Sequence, residues 1–573
     1  MQLRRILETT LAACIGAIAP QLAHTETALT ASSTPHQTLV LAGGHLPLCA
    51  SSNPAACKSD RWQGLPGYQA PQYRLDTQDL SKVLAVLPEE KIDKQALLAF
   101  LQALKKRCKN QTFSRDALVQ QIDLVAKRMD DKAIWTKLLD DEQDGVLSAF
   151  EITQLDSDGV RVKERVDLNA SDPKIVEIYR RFVREAAQAS GKQRPLILVV
   201  TASSRDVFAS VDYYLAALEQ AGAQVQWLPL DPAMLTAKNS EDLISARTNV
   251  LGVLGRERVY PDLHDQQLIA TSNKTVMLDA IRAADGVFLN GGDQSLMVRA
   301  WFESSGSPNP YWLALKAKLS AGELVLGGTS AGTAVQSGRG LNAAMLTGGA
   351  SWSGLSLGAQ QVLPQEFGCA RANRCETGAE DALTFSAKGG LGSFPFAVLD
   401  THFSERGRQW RMAALLRDPK SPRFGLGVDE ATAVVATWPV GSTDVETVRL
   451  ESIGHGEGWW FERQSTGDLN LRAVRAGDAW QVSPLVASAC PESGTESGTE
   501  ADTESGKQPA RVQTKPIRID NAELAQLLRS DSKMLRLSSA DARAKGEVLL
   551  CRQGDFWRWQ WLDTAHRRSE EQL

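Results

Sequence analysis

Glu323-Leu324-Val325-Leu326-Gly327-Gly328-Thr329-Ser330-Ala331-Gly332-Thr333-Ala334 decides the fold. An apolar run breaks into glycines, one serine stands between small residues, and a helix-forming stretch follows. This is the pattern of a nucleophile elbow: glycine permits the sharp strand-to-helix turn, and the turn pushes the serine oxygen outward. Backbone N–H groups opening the next helix can then face an oxyanion. A bare G-x-S-x-G pattern equally describes an ordinary glycine-rich turn, so its meaning depends on the rest of the chain.

Working outward, Thr38 to Ala42 followed by Gly43-Gly44 reads as a strand ending in a glycine turn. Pro195–Thr201, Gln224–Leu230 and Gly286–Leu289 read as further strands, the last leading into Asn290-Gly291-Gly292-Asp293-Gln294. Helical spacing fills Val207–Ala221, Leu278–Ala284 and Ser295–Phe302. Apolar strands alternating with amphipathic helices predict a three-layer α/β/α fold around a mostly parallel sheet. Residues 50–190 differ: Ser81–Leu104 and Arg115–Leu139 are long helical patterns, so we read a helical insertion between residues 38–49 and a catalytic domain over 191–485. A polar linker covers 490–510, and 511–573 forms a small C-terminal appendage in which Trp557, Trp559 and Trp561 alternate as packing residues on one strand face.

At 573 residues the chain predicts two or three domains. Its composition, 43% hydrophobic and 23% charged, is that of a soluble globular protein, and a net charge of −5 gives no reason to expect a nucleic-acid partner. Arg4 and Arg5 before an apolar run predict a signal peptide over residues 1–25, hence a secreted or periplasmic protein; Leu11-Ala12-Ala13-Cys14 offers lipoprotein anchoring as the second reading. No later segment reaches the roughly 18 uninterrupted apolar residues of a membrane span. In an oxidising compartment Cys49 with Cys57, and Cys369 with Cys375, read as small-loop disulfides; Cys490 and Cys551 can close the C-terminal segment, leaving Cys108 unpaired.

A serine nucleophile needs a base. Among the histidines only His402 follows a buried-looking strand end, Phe396–Thr401. The orienting acid is Glu430, with Asp429 its immediate rival. The order Ser, His, acid differs from that of α/β-hydrolases. Arg406, Arg408 and Arg411 crowd after His402, where guanidinium groups can hold carboxylates bidentately. The oxyanion donors are expected near Gly291, Gly292 and Ala331.

Four blocks together resemble the cyanophycinase family of serine peptidases: Gly291–Gln294, Gly328–Gly332, Asp400–Arg408 and Gly427–Ala433. The resemblance runs from about Pro195 to Val435 and implies a glutamine-amidotransferase-like α/β/α fold, with Ser330 as nucleophile, His402 as base and Glu430 as acid. It places Gln294, Asp400, Arg406, Arg408 and Arg411 in the substrate pocket, where Asp400 or a neighbouring acid can receive a substrate guanidinium. It also implies cyanophycin, a polyaspartate bearing arginine on each β-carboxylate, as substrate, β-aspartyl-arginine as product, and a homodimer. Thr401 departs from the family, which often has glutamine there. Related readings are an aspartyl or isoaspartyl dipeptidase, or an inactive calcium-dependent binding protein.

The insertion adds an EF-hand-like pattern, Asp140 to Glu151, with candidate calcium ligands Asp140, Glu142, Asp144, Val146, Ser148 and Glu151. Such calcium is expected to be structural, and catalysis to need no cofactor.

Overall fold

The computed structural model describes residues 35–562 except 59–66, 68–69, 76–79, 85–86, 88–92, 130–132, 137, 139, 342, 350–358, 363–382, 487–489, 491–516, 520, 530–533 and 540–546. The expected leader and the Cys369–Cys375 pairing lie outside the described residues.

Alternation along the strands sets the layers. In β1 (His36–Ala42) Leu39 and Leu41 face one core while Val40 and Ala42 face another; in β2 (Leu196–Val200) Leu198 and Val200 part from Ile197 and Val199 in the same way. With β3 (Gln224–Trp227), β4 (Gly286–Leu289) and β5 (Val325–Thr329) they make a parallel sheet that is buried on both faces except at its edge strand β3. One face carries helices Thr275–Ala283, Gln294–Trp301 and Pro310–Ser320; the other carries Pro173–Ser190 and Val211–Gln220. Helix Pro173–Ser190 therefore covers the sheet, although the sequence placed it within the insertion. Its stripe of Ile175, Tyr179, Phe182 and Val183 packs against Ile197, Phe288 and Val325.

The site strands differ from expectation. β6 (Val398–Thr401) and β7 (Phe424–Val428) do not join this sheet but pair in parallel with each other. The chain then runs through β8 (Thr432–Pro439), β9 (Arg449–Gly454), β10 (Glu457–Arg463), β11 (Leu469–Arg475) and β12 (Ala479–Gln481). After the linker come β13 (Ile517–Ile519), β14 (Met534–Ser539), β15 (Glu547–Gln553) and β16 (Phe556–Trp561). The first sheet has the order β12-β9-β8-β1-β5-β4-β2-β3, and the second β6-β7-β10-β11-β16-β15-β14-β13. The chain crosses between the sheets in the short turn from β7 to β8, which holds Asp429 and Glu430.

The C-terminal strands are joined edge-on to the second sheet, Leu469 opposite Trp559. Trp557, Trp559 and Trp561 are buried there with Trp410, Trp459 and Phe461, as their alternation predicts. Cys490–Cys551 fastens this part covalently, Cys49–Cys57 closes the first turn, and Cys108 is a buried free thiol. No helix among the described residues is long and apolar enough to cross a membrane.

Within the insertion, helices Lys94–Arg107 and Arg115–Arg128 form their own core around Phe100, Leu101, Ile122 and Trp135. Its calcium loop is not formed. Asp140–Ser148 is an α-helix, which turns successive side chains about 100° apart instead of inward onto one ion. Asp144 pairs with Arg115 at 2.5 Å and buried Glu151 with Arg256 at 2.7 Å. Ser148 Oγ donates to the Gly145 carbonyl, and the Val146 carbonyl accepts from Ala149 N–H. The charge pattern thus serves ion pairs and a helix, with Val146 in the core. Among the described residues no three His, Cys, Asp or Glu side chains converge as metal ligands. A chelator is therefore expected to leave the thermal unfolding midpoint unchanged; a rise on adding calcium, measured by scanning calorimetry, would contradict this.

Candidate active site

Ser330 lies between β5 and the short helix Ala331–Ala334 with φ 53° and ψ −117°. Side-chain-bearing residues rarely occupy that region, at a cost of about 1–3 kcal/mol, so the surroundings must hold it there. Ser330 N–H donates to the Ala42 carbonyl at 3.0 Å, and Thr333 Oγ1 lies 2.8 Å from both the Ala42 and the Gly328 carbonyl oxygens, between which its one proton is shared. The small residues after the serine are a packing requirement. A Cβ on Gly332 would stand 2.3 Å from the Leu289 carbonyl oxygen at the end of β4.

His402, at the end of β6, also has positive φ, 48°, and its N–H donates to the Gly43 carbonyl at 2.8 Å. Its ring lies against Gly44 (φ 106°), where any Cβ would come within 2.4 Å of Cε1. Ala431 N–H donates to the Gly44 carbonyl at 2.9 Å. The turn after β1 thus fixes the serine, histidine and acid turns together. In the sequence Gly43-Gly44 shows only as a glycine turn ending a strand; a glycine pair closing the sheet's central strand is the signal for this role.

The resulting contacts form a relay. Ser330 Oγ is 2.7 Å from His402 Nε2, and His402 Nδ1 is 2.5 Å from Glu430 Oε1. Burial holds the imidazole below its ordinary value, and Arg406 and Arg408 add to this against the opposing Glu430 hydrogen bond. A neutral imidazole that accepts from a serine hydroxyl and donates to a carboxylate can take up a proton from the serine.

Asp429, the rival acid, points away from the imidazole. Fully buried, its carboxylate accepts from Ser404 N–H and Trp459 Nε1–H at 3.0 Å each, from Glu457 N–H at 3.1 Å, and from Arg529 at 2.9 Å. Burial pushes its carboxyl up to about 6 despite these donors.

The arginine block behaves differently from expectation. Asp400 is buried and taken up internally: Arg411 Nε and Nη2 meet its two oxygens at 2.7 and 2.5 Å, and Arg408 Nη1 lies at 3.1 Å. Burial alone would raise this carboxyl, but the Arg411 and Arg408 guanidiniums overcome that and hold it below the carboxylate range. Asp400 is thus no open receptor for a substrate guanidinium, and Arg408 and Arg411 are engaged with it; Arg411 also donates to the Gly349 carbonyl and Arg408 to the Thr401 carbonyl. Arg406 alone of the three is exposed, with no carboxylate partner among the described residues. Thr401 is buried beneath this cluster. Gln294 opens its helix with Nε2 on the Leu346 carbonyl at 2.6 Å.

Of the expected oxyanion groups, Gly291 flanks the serine, a Cβ there falling 3.3 Å from Ser330 Cβ. Gly292 and Ala331 N–H have no protein acceptor among the described residues.

No protein-family model matches the chain. Part of it is similar to cyanophycinases. Over 219 residues it is 27% identical to the cyanophycinases of Trichormus variabilis and of a Nostoc species, 38% of this chain and 59% of each relative. The cyanophycinase of Geminocystis herdmanii is 30% identical over 156 residues, 27% of this chain and 44% of the relative. The chain thus spans about three fifths of the length of the first two relatives and less of the third. Among solved structures, a peptidase from an acI-B1 Actinobacterium aligns with a TM-score of 0.32 at 14% identity, covering 54% of this chain and 92% of that one. At that score the likeness carries no weight here.

Proposed function

We propose that the chain is an exported serine peptidase that hydrolyses cyanophycin to β-aspartyl-arginine. The observation that carries this is the Ser330–His402–Glu430 relay on a strained elbow; the partial similarity to cyanophycinases supplies the substrate. Ser330 Oγ attacks a backbone carbonyl as His402 Nε2 takes its proton, while Glu430 holds Nδ1–H and stabilises the imidazolium. The tetrahedral oxyanion is held by the Gly292 and Ala331 N–H groups, collapse passes the proton from His402 to the leaving amine, and water releases the acyl group by the reverse sequence. Arg406 receives a substrate carboxylate. The Cys49–Cys57 and Cys490–Cys551 disulfides suit an oxidising compartment. A homodimer belongs to the same proposal, and sedimentation of the purified protein reads it.

Because Arg408 and Arg411 are engaged by Asp400, the polymer preference rests on Arg406 and the similarity, and cleavage of short aspartyl or isoaspartyl peptides is the second reading. Incubation with insoluble cyanophycin and, separately, with free aspartyl dipeptides decides between them. Soluble β-aspartyl-arginine from the polymer is the expected product; turnover of dipeptides alone would favour the second reading.

Arg406 also contributes to the working pH, after burial of the imidazole. It disfavours the protonated imidazole, so Arg406→Gln is expected to raise the His402 pKa and move the acid limb of the kcat/KM profile to higher pH. An unmoved limb would show that Arg406 does not act on the base.

A further inference from the structure

The buried carboxylate of Asp429 is a structural joint. Through Ser404 N–H it grips the turn just after His402, through its own backbone it fixes Glu430, and through Glu457 N–H and Trp459 Nε1–H it binds β10. Glu457, itself mostly buried, lies alongside with its carboxylate, so two negative groups are packed together behind the relay. Arg475 stands 3.9 Å from Glu457, but the countercharge close to both carboxylates comes from the far end of the chain. Arg529, last residue of helix Asn521–Arg529, places Nη2 2.9 Å from Asp429 Oδ2 and Nε 2.7 Å from Glu457 Oε2. Among the described residues Arg529 is the cation paired with Asp429. Its guanidinium also lies over the Trp459 ring, 5.6 Å from the centroid, on the wall of an open cavity of about 650 Å³ that Glu430, Glu405 and His45 share.

The helix carrying Arg529 is firmly seated. Leu524 and Leu528 are buried in the core of Trp410, Trp459 and Phe461, and Trp557 Nε1–H donates to the Leu528 carbonyl at 3.0 Å. The Cys490–Cys551 disulfide holds the same segment to the rest of the chain.

We propose that Arg529 is a positioning residue of the Ser330 site, so that the C-terminal segment completes that site. Resting on the relay proposed above, it acts through Asp429. Without the guanidinium, buried Asp429 has no paired cation among the described residues and Glu457 keeps only Arg475 at 3.9 Å; the turn that carries Glu430 then shifts, and Glu430 loses its hold on His402 Nδ1.

The test compares wild type, Arg529→Ala, Arg529→Lys and Ser330→Ala in steady-state hydrolysis of cyanophycin, with thermal midpoints measured in parallel. Arg529→Ala is expected to lower kcat about 10- to 100-fold with little change in KM, as a misplaced catalytic group does. Arg529→Lys is expected to recover part of the loss, since lysine restores charge but not the two-pronged geometry. Millimolar guanidinium is expected to raise the activity of Arg529→Ala while leaving wild type unchanged. Wild-type kcat in Arg529→Ala would overturn the proposal. So would a loss that follows only the thermal midpoint and responds to neither lysine nor guanidinium. Ser330→Ala separates the two levels: if it retains turnover, the relay itself fails; if it is inactive while Arg529→Ala is normal, only the role of Arg529 fails.

Discussion

Replacing Ser330 by alanine is expected to cut kcat/KM for cyanophycin by about 10⁴- to 10⁶-fold, the range seen when a serine nucleophile is removed from an intact relay. The 2.7 Å contact to His402 and the 2.5 Å contact to Glu430 act as a unit, so His402→Ala should cost nearly as much, and the double variant little more. Stability should move the other way. At φ 53° and ψ −117° any side chain is strained, whereas glycine is not, so Ser330→Gly is expected to be inactive yet more stable by about 1 kcal/mol. Denaturant titration beside the activity assay reads both. A Ser330→Gly protein less stable than wild type would mean that the elbow carries no strain.

The second large effect is at Asp400. Asp400→Ala leaves the buried Arg411 and the part-buried Arg408 without their shared carboxylate, and breaking such a pair from one side costs about 3–5 kcal/mol. For contrast, Asp279→Ala removes a pair whose partners are each 66% exposed and is expected to stay within about 0.5 kcal/mol. Asp400→Asn, which keeps shape and one acceptor, should fall between them. Because the carboxyl is held below its usual value, its contribution is complete above the ordinary carboxylate range and is lost only as acid carries the pH down through the folded-state value. Chemical unfolding at neutral pH checks the ranking; equal midpoints for Asp400→Ala and Asp279→Ala would contradict it.

Much of this architecture was legible because it is local. Strand alternation, the glycine-rich elbow and the short cysteine spacing all lie within a few residues, and backbone periodicity turns them directly into structure. The nearness of Ser330, His402 and Glu430 was legible in a weaker sense, as side chains at the ends of apolar strands.

What failed was partnership across distance. The arginines after His402 look like a substrate clamp until Asp400 takes Arg408 and Arg411, a pairing between strand end and helix start that spacing alone does not separate from a pocket. The Asp140–Glu151 pattern fits a calcium loop letter by letter. Yet Glu151 neutralises Arg256 from more than 100 residues away, and Val146, Ala149 and Phe150 are drawn into the insertion core. The C-terminal residues, set apart by a polar linker, return to the second sheet and put Arg529 on Asp429. A charge whose counterion lies that far along the chain leaves no mark in its own neighbourhood.

The relay is tested most directly by covalent trapping. Wild type treated with a fluorophosphonate is expected to gain one adduct, mapped by peptide mass spectrometry to Ser330, with labelling lost in His402→Ala. Hydrolysis of cyanophycin by a protein that remains unlabelled at Ser330, or labelling equally fast without His402, would contradict it.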